Sequence, residues 1–93
     1  MKYRTKPRYV EAFRFGFDKV PTWFLDRTKK QEAFIFENSD GSLSHGSIYS
    51  PKDPRRIYIG YWVILFNDGD MAVREHEKFI VEFEEVSHEN IQN

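Results

Sequence analysis

The sequence predicts an α+β fold: a strongly bent, mainly antiparallel sheet or small barrel of five to six strands, packed against one helix. Three observations predict it. Apolar residues recur at every second position in several short segments, which is the period of a strand. Residues 21–30 alone carry a clear helix signature. Asp-Gly pairs at 40–41 and 68–69 stand where hairpins would turn.

The first strand is predicted over residues 8–17, with three phenylalanines on one face of the extended chain, Phe13, Phe15 and Phe17. Pro21 suits the first position of a helix, because its fixed φ matches the helix and its missing N–H would be unpaired there. Lys29 and Lys30 would close this helix at the negative end of its dipole.

A second strand is predicted at 33–37, followed by a turn at 38–41 and a polar strand at 42–49. Residues 50–56 contain two prolines and four charged side chains, a composition typical of an exposed loop.

Residues 57–66 give the strongest strand signal, with apolar residues at both parities. Such a strand is predicted to be central and covered on both faces. A turn at 67–70 and a returning strand at 71–74 make a hairpin, and residues 75–78 form a bend or a single helical turn. The last strand is predicted at 79–86, with its apolar side chains inward, Phe79, Val81 and Phe83.

The length of 93 residues predicts one domain spanning 1–93, with a frayed polar tail at 87–93. Nine Phe, five Tyr and two Trp supply bulky side chains, and the aromatics are expected to be mainly core. The chain contains no cysteine, which excludes disulfides and thiolate metal sites. No signal sequence or apolar run long enough to span a bilayer occurs, so we expect a cytoplasmic protein without membrane association.

The net charge of -1 conceals two halves of opposite sign. Residues 1–56 carry 12 Lys/Arg and 7 Asp/Glu, whereas residues 57–93 carry 2 Lys/Arg and 8 Asp/Glu. Either the halves lie side by side and attract each other, or one of them marks a partner surface. The candidate partner-binding residues are Lys2, Arg4, Lys6, Arg8, Lys52, Arg55, Arg56, Glu75, Glu77, Glu82 and Glu84.

No pattern of catalytic or metal-binding residues appears. The three histidines, His45, His76 and His88, lack the spacing of a metal site, and the serines lack the Gly-x-Ser-x-Gly elbow of a hydrolase. We therefore expect no enzyme activity, no catalytic residue and no cofactor.

Several segments resemble a group of small phage and prophage proteins. The opening Met-Lys-Tyr-Arg-Thr-Lys-Pro and the Val-Glu-Ala-Phe at 10–13 are similar to theirs, as are Pro-Thr-Trp-Phe at 21–24, Gly-Tyr-Trp-Val-Ile at 60–64 and Lys-Phe at 78–79. The group is of the Pro-Gly-Asp-Tyr-Gly type and mostly lacks an assigned function. Where it has Gly-Asp, this chain has Gly60-Tyr61, so any role of that Asp is absent. The resemblance implies a phage-encoded accessory protein and transfers no catalytic residue.

Three functions follow as hypotheses. The first is binding of a host protein, for example inhibition of a host defence nuclease, in which the acidic last strand would mimic nucleic acid. The second is nucleic-acid binding through the basic N-terminal strand and the loop at 52–56. The third is a small-ligand or enzymatic site near Glu11 and Gly60, where a glycine lets a ligand approach the backbone.

Overall fold

A computed structural model describes residues 9–49 and 54–84 of the chain. These residues form six strands and two helices. The strands are β1 (Glu11–Arg14), β2 (Ala33–Glu37), β3 (Leu43–Ile48), β4 (Arg55–Tyr58), β5 (Trp62–Leu65) and β6 (Met71–Arg74). The helices are α1 (Thr22–Lys29) and α2 (His76–Glu82).

The strands are divided between two three-stranded antiparallel sheets. The first has the order β1-β5-β6 and the second the order β2-β3-β4. The α+β class and the antiparallel pairing are therefore confirmed. The two sheets are not closed into a barrel, and two helices are present rather than one.

The predicted central strand at 57–66 is wrong, because a turn divides it. The Tyr61 amide donates to the Tyr58 carbonyl over 3.0 Å, and Gly60 between them has φ 93°. Residues with a side chain rarely adopt this backbone conformation, whereas glycine adopts it without strain. After the turn the chain changes sheets: β4 pairs with β3, and β5 pairs with β1 and β6. Within the described residues β5 is the central strand of the first sheet, and both Val63 and Ile64 are fully buried.

One buried cluster joins the two sheets to α1. Across the first sheet, Phe13 lies opposite Val63 and Val63 opposite Val73. The second sheet contributes Ala33, Ile48 and Ile57. Full burial of a Val, Ile or Phe side chain stabilises a fold by about 1.5–3 kcal/mol.

The predicted helix is present as α1, but it begins at Thr22, one residue later than predicted, and Pro21 is its N-cap with extended backbone (φ -74°, ψ 159°). Phe24 is fully buried and its ring lies 5.1 Å from that of Phe13, while the Trp23 ring lies 5.7 Å from Phe13. Arg27 connects α1 to two other segments of the chain. Its guanidinium donates to the Gly69 carbonyl at 2.7 Å and to the Glu32 carboxylate at 3.1 Å.

The predicted last strand at 79–86 is wrong over its described part, because residues 76–82 form helix α2. The Phe79 ring stacks on Trp62 with centroids 4.0 Å apart, and Phe83 stacks on Phe79 at 5.0 Å. Val81, which the strand pattern places inward, is 84% exposed. The α2 helix thus packs on the face of the first sheet that points away from the buried cluster.

The predicted first strand is shorter than 8–17. It ends at Arg14, whose carbonyl accepts hydrogen bonds from the Phe17 and Asp18 amides at 3.1 and 2.9 Å. Phe17 leaves the face that Phe13 and Phe15 share and is 63% exposed, with the Arg14 guanidinium 4.0 Å from its ring centre.

The predicted loop at 50–56 is wrong at its end, because Arg55 and Arg56 open β4. Among the described strands β4 lies at the edge of its sheet, and charged side chains are common on such edges. The rest of this loop lies largely outside the described residues. No helix in the described ranges is long and apolar enough to cross a membrane.

Candidate functional site: a cationic cleft beside an aromatic sheet face

A cleft of about 290 Å³ lies where the edge strand β4 of the second sheet approaches β6 and the start of α2. It exists because the Gly60 turn brings the two edge strands together, so that residues from both sheets face one opening. We call it the cationic cleft. Its lining residues are Arg55, Arg56, Tyr58, Tyr61, Val73, Arg74, Glu75 and Lys78.

Among the described residues, positive charge dominates this lining, with four cationic side chains against one carboxylate. Lys78 Nζ lies 3.7 Å from the Glu75 carboxylate. Arg74 lies 3.5 Å from Glu82 and also donates to the Val73 carbonyl at 3.1 Å. These ion pairs are partly exposed, and such pairs bind weakly enough for a stronger anion to compete. The arrangement therefore suits an anionic ligand.

Two tyrosines, Tyr58 and Tyr61, also line the cationic cleft. The rings of Tyr58 and Tyr61 meet edge to face with centroids 5.3 Å apart. The Tyr61 hydroxyl donates to Glu75 at 3.4 Å. Desolvation, reinforced by the nearby Glu75 carboxylate, raises the pKa of Tyr61 above its usual value of 10.0. Tyr61 is therefore a neutral hydrogen-bond donor throughout the physiological range, and adds no negative charge to the cleft.

The second sheet exposes aromatic rings on the side opposite the buried cluster. Phe36, His45 and Tyr58 are aligned across β2, β3 and β4 by the strand register. In the next row, Phe34 lies opposite Ser47 and Ser47 opposite Arg56. We call these six residues the outer aromatic face.

The rings of this face are half open to solvent: Phe34 is 39% exposed, Phe36 46% and Tyr58 49%. The imidazole of His45 stacks on Phe36 with centroids 4.6 Å apart and planes 19° from parallel. Arg56 and Tyr58 belong both to this face and to the cationic cleft, so the two surfaces are continuous. The expectation that the aromatics are mainly core is therefore wrong for the second sheet.

The candidate residues named from the sequence fall in three places. Arg55, Arg56 and Glu75 are brought together in the cleft. Glu77 and Glu82 lie on α2, and Glu84 lies two residues beyond it. The remaining candidates lie outside the described residues: Lys2, Arg4, Lys6, Arg8 and Lys52.

Sequence reasoning missed Arg74, Lys78 and Tyr61 as members of the site. The sequence does mark Arg74 and Lys78, because they are the only Lys or Arg of residues 57–93 and stand four residues apart in an acidic segment. The proposed ligand site near Glu11 and Gly60 does not coincide with the cleft, since neither residue lines it.

Within the described part of the chain, one serine contacts a histidine, Ser44 beside His45. Ser44 Oγ lies 3.0 Å from Nδ1 of His45, but the two are sequence neighbours on β3 and the imidazole ring is stacked on Phe36. Within residues 9–49 and 54–84, no group of three or more His, Asp or Glu side chains is placed to hold a metal ion.

Comparison with known proteins gives no relative from which a function would follow. No family model, curated protein or solved structure matches the chain.

Proposed function

We propose that the protein binds nucleic acid, with the phosphate backbone seated in the cationic cleft. The observation that carries this proposal is the convergence of four cationic side chains and two tyrosines on one opening. Lys and Arg side chains that neutralise phosphates release condensed counterions, which is the main source of affinity in such complexes. Arginine also presents several donors in one plane and matches phosphate geometry in two-point contacts.

The proposal uses the basic loop predicted from the sequence, of which Arg55 and Arg56 line the cleft, and adds two further cations. Arg74 and Lys78, which come from the acidic half of the chain, line the same cleft as Arg55 and Arg56. Because the protein as a whole is slightly acidic, with a pI near 6.3, binding depends on this local concentration of cations rather than on net charge.

Binding of a host protein has less support from the described residues. That hypothesis used an acidic stripe along a last strand, but residues 76–82 are helical. The phage context and the host partner stay predictions from the sequence.

The test is fluorescence anisotropy with a labelled DNA strand of about 20 nucleotides, at salt concentrations from about 50 to 200 mM. The variant Arg56→Gln/Lys78→Gln removes two cations from the cleft. We expect its affinity to fall about tenfold and the slope of log K against log[salt] to decrease in magnitude by about 1.4, the value for two lost phosphate contacts on a single strand.

The matched control is Lys29→Gln/Lys30→Gln, which removes two cations from the end of α1, away from the cleft. We expect it to keep the affinity within about twofold, because long-range charge effects are screened at these salt concentrations. Equal losses of affinity in both double variants would show that the nucleic acid is attracted by charge anywhere on the surface, which would contradict binding in the cleft. No binding by the unaltered chain at about 50 mM salt would refute the proposal.

A further inference from the structure

We infer that the nucleic acid is single-stranded and that its bases stack on the outer aromatic face while its phosphates occupy the cationic cleft. This inference rests on the proposed function and adds to it the class of ligand and the surface that reads its bases. Three features of the outer aromatic face support it: the exposure of its rings, their alignment and their continuity with the cations.

Exposure of the rings is the first feature. Burial of a large aromatic side chain stabilises a fold. Phe34, Phe36 and Tyr58 nevertheless each leave 39–49% of their surface exposed to solvent. Phe34 and Phe36 lie two residues apart on β2, and His45 on β3 connects Phe36 to Tyr58 on β4, so the rings form one surface rather than scattered positions. Contiguous apolar surface of this kind marks a binding site more often than isolated exposed residues do.

Alignment of the rings is the second feature. Phe36, His45 and Tyr58 form one row across the sheet, with adjacent strands about 4.8 Å apart. Stacking on Phe36 aligns the His45 ring within 19° of it. A sheet holds such rings in fixed places with little loss of entropy on binding, and every base has a π-face that stacks on them regardless of sequence.

Continuity with the cations is the third feature. Arg56 stands at the end of the Phe34–Ser47 row and also lines the cleft, and Tyr58 likewise belongs to both surfaces. A strand whose phosphates contact the cleft therefore has its bases within reach of the rings. A duplex buries the faces of its bases in its own stack, so only a single strand presents them to a sheet.

The experiment compares three labelled probes of equal length, about 12 nucleotides, a length within the range of known single-strand sites. The first is oligothymidylate, the second is an abasic chain with the same phosphates, and the third is a duplex. We expect the unaltered chain to bind oligothymidylate at least about tenfold more tightly than the abasic chain, since stacking contributes about 1–3 kcal/mol per base.

The variant Phe36→Ala separates stacking from charge. We expect it to weaken oligothymidylate binding about tenfold and to leave the abasic chain unaffected, because no cation is removed. Tyr9→Ala is the control, since Tyr9 is 55% exposed but lies outside the second sheet. Urea unfolding of both variants establishes that each remains folded under the binding conditions.

The outcomes distinguish the two proposals. If the unaltered chain binds none of the probes, the proposed function itself fails. If it binds the oligothymidylate and abasic chains equally, or the duplex more tightly than either, phosphate binding stands and base stacking is overturned. If Phe36→Ala abolishes self-association in sedimentation while base-containing and abasic probes bind alike, the face is covered by a second copy and the inference is overturned as well.

Discussion

The indole N–H of Trp62 donates a hydrogen bond to Nδ1 of His76 over 2.9 Å, and this contact anchors α2 to the first sheet. Trp62 lies between Arg14 and Arg74 in the strand register, on the face that points away from the buried cluster. Phe79 stacks on the same indole with planes 6° from parallel. Because Nδ1 accepts this bond, the neutral imidazole carries its proton on Nε2.

Removing the acceptor should loosen α2 without unfolding the sheets. We expect His76→Ala to lower the stability of the helix by about 1 kcal/mol, the usual value of a hydrogen bond between partly buried groups. The amides of Phe79 and Phe83, which donate to Glu75 and Phe79, should exchange with solvent about fivefold faster. Hydrogen exchange followed by NMR measures this.

The matched control on the same helix is Val81→Ala, because this side chain is 84% exposed. It should leave exchange unchanged or slow it slightly, since alanine favours helix more than valine does. Equal acceleration in the two variants would show that the Trp62–His76 bond does not anchor the helix.

The misassigned helix shows where sequence periodicity is ambiguous. Phe79, Val81 and Phe83 alternate as in a strand, yet Phe79 and Phe83 are also four residues apart and share a helix face. The pattern fits both periods, and His76 decides between them. It lies three residues before Phe79 and completes a helical face against Trp62, a contact between distant parts of the chain that local pattern does not contain.

The fold was predictable where one local signal determined the structure. Pro21 and the apolar residues after it predict α1, and the Asp-Gly turns predict the hairpins β2–β3 and β5–β6. The prediction of one strand at 57–66 is wrong because Gly60, which stands within a continuous apolar run, is a turn residue rather than part of a strand. Gly60 has φ 93°, and its amide donates to the Phe15 carbonyl at 2.8 Å, a contact between residues distant in sequence that the local pattern does not contain.

The same sheet change explains why the site was predicted only in part. Arg55 and Arg56 are recognisable as a basic pair, but their neighbours come from β6 and α2. Only the exchange of sheets at Gly60 places Arg74 and Lys78 beside them. The outer aromatic face was missed because Phe34 and Phe36 alternate with apolar Ala33 and Ile35, so composition alone does not indicate which face is buried.

Gly46 in β3 is required for space rather than for an unusual backbone conformation. A Cβ added there would lie 2.9 Å from the Phe34 carbonyl oxygen and 3.3 Å from the Phe15 ring. The first contact involves backbone of the paired strand, which cannot move away without disturbing the sheet. We expect Gly46→Ala to lower the free energy of unfolding by about 1–3 kcal/mol, the range for overpacked sites. Urea unfolding measures it.

The neighbouring position gives the control for Gly46→Ala. Ser47 is on the opposite face of β3, so Ser47→Ala changes the same strand without adding an atom toward Phe15. It should change stability by less than about 0.5 kcal/mol. An unchanged urea midpoint for Gly46→Ala would mean that the sheet adjusts freely, contrary to the close contact with the Phe34 carbonyl.

Asp40 in the β2–β3 turn should titrate below its usual range. The Ser42 hydroxyl donates to its carboxylate at 2.6 Å and the Ser42 amide does so at 2.9 Å. These bonds, the hydroxyl first, lower the pKa of Asp40 from 3.8. Since the folded chain binds this proton less tightly than the unfolded chain, the turn gains stability above pH 3.8 and loses it as the pH falls through the lowered pKa.

The measurement is an NMR titration of the Asp40 carboxyl carbon in the unaltered chain, in Ser42→Ala and in Ser42→Thr. Ser42→Ala removes the hydroxyl and keeps the amide, so the pKa should move part of the way back toward 3.8. Ser42→Thr keeps a hydroxyl on the same carbon and should titrate near the unaltered chain. If all three titrate together, the hydroxyl does not bind the carboxylate in solution, and the lowered pKa would have to come from the amide alone.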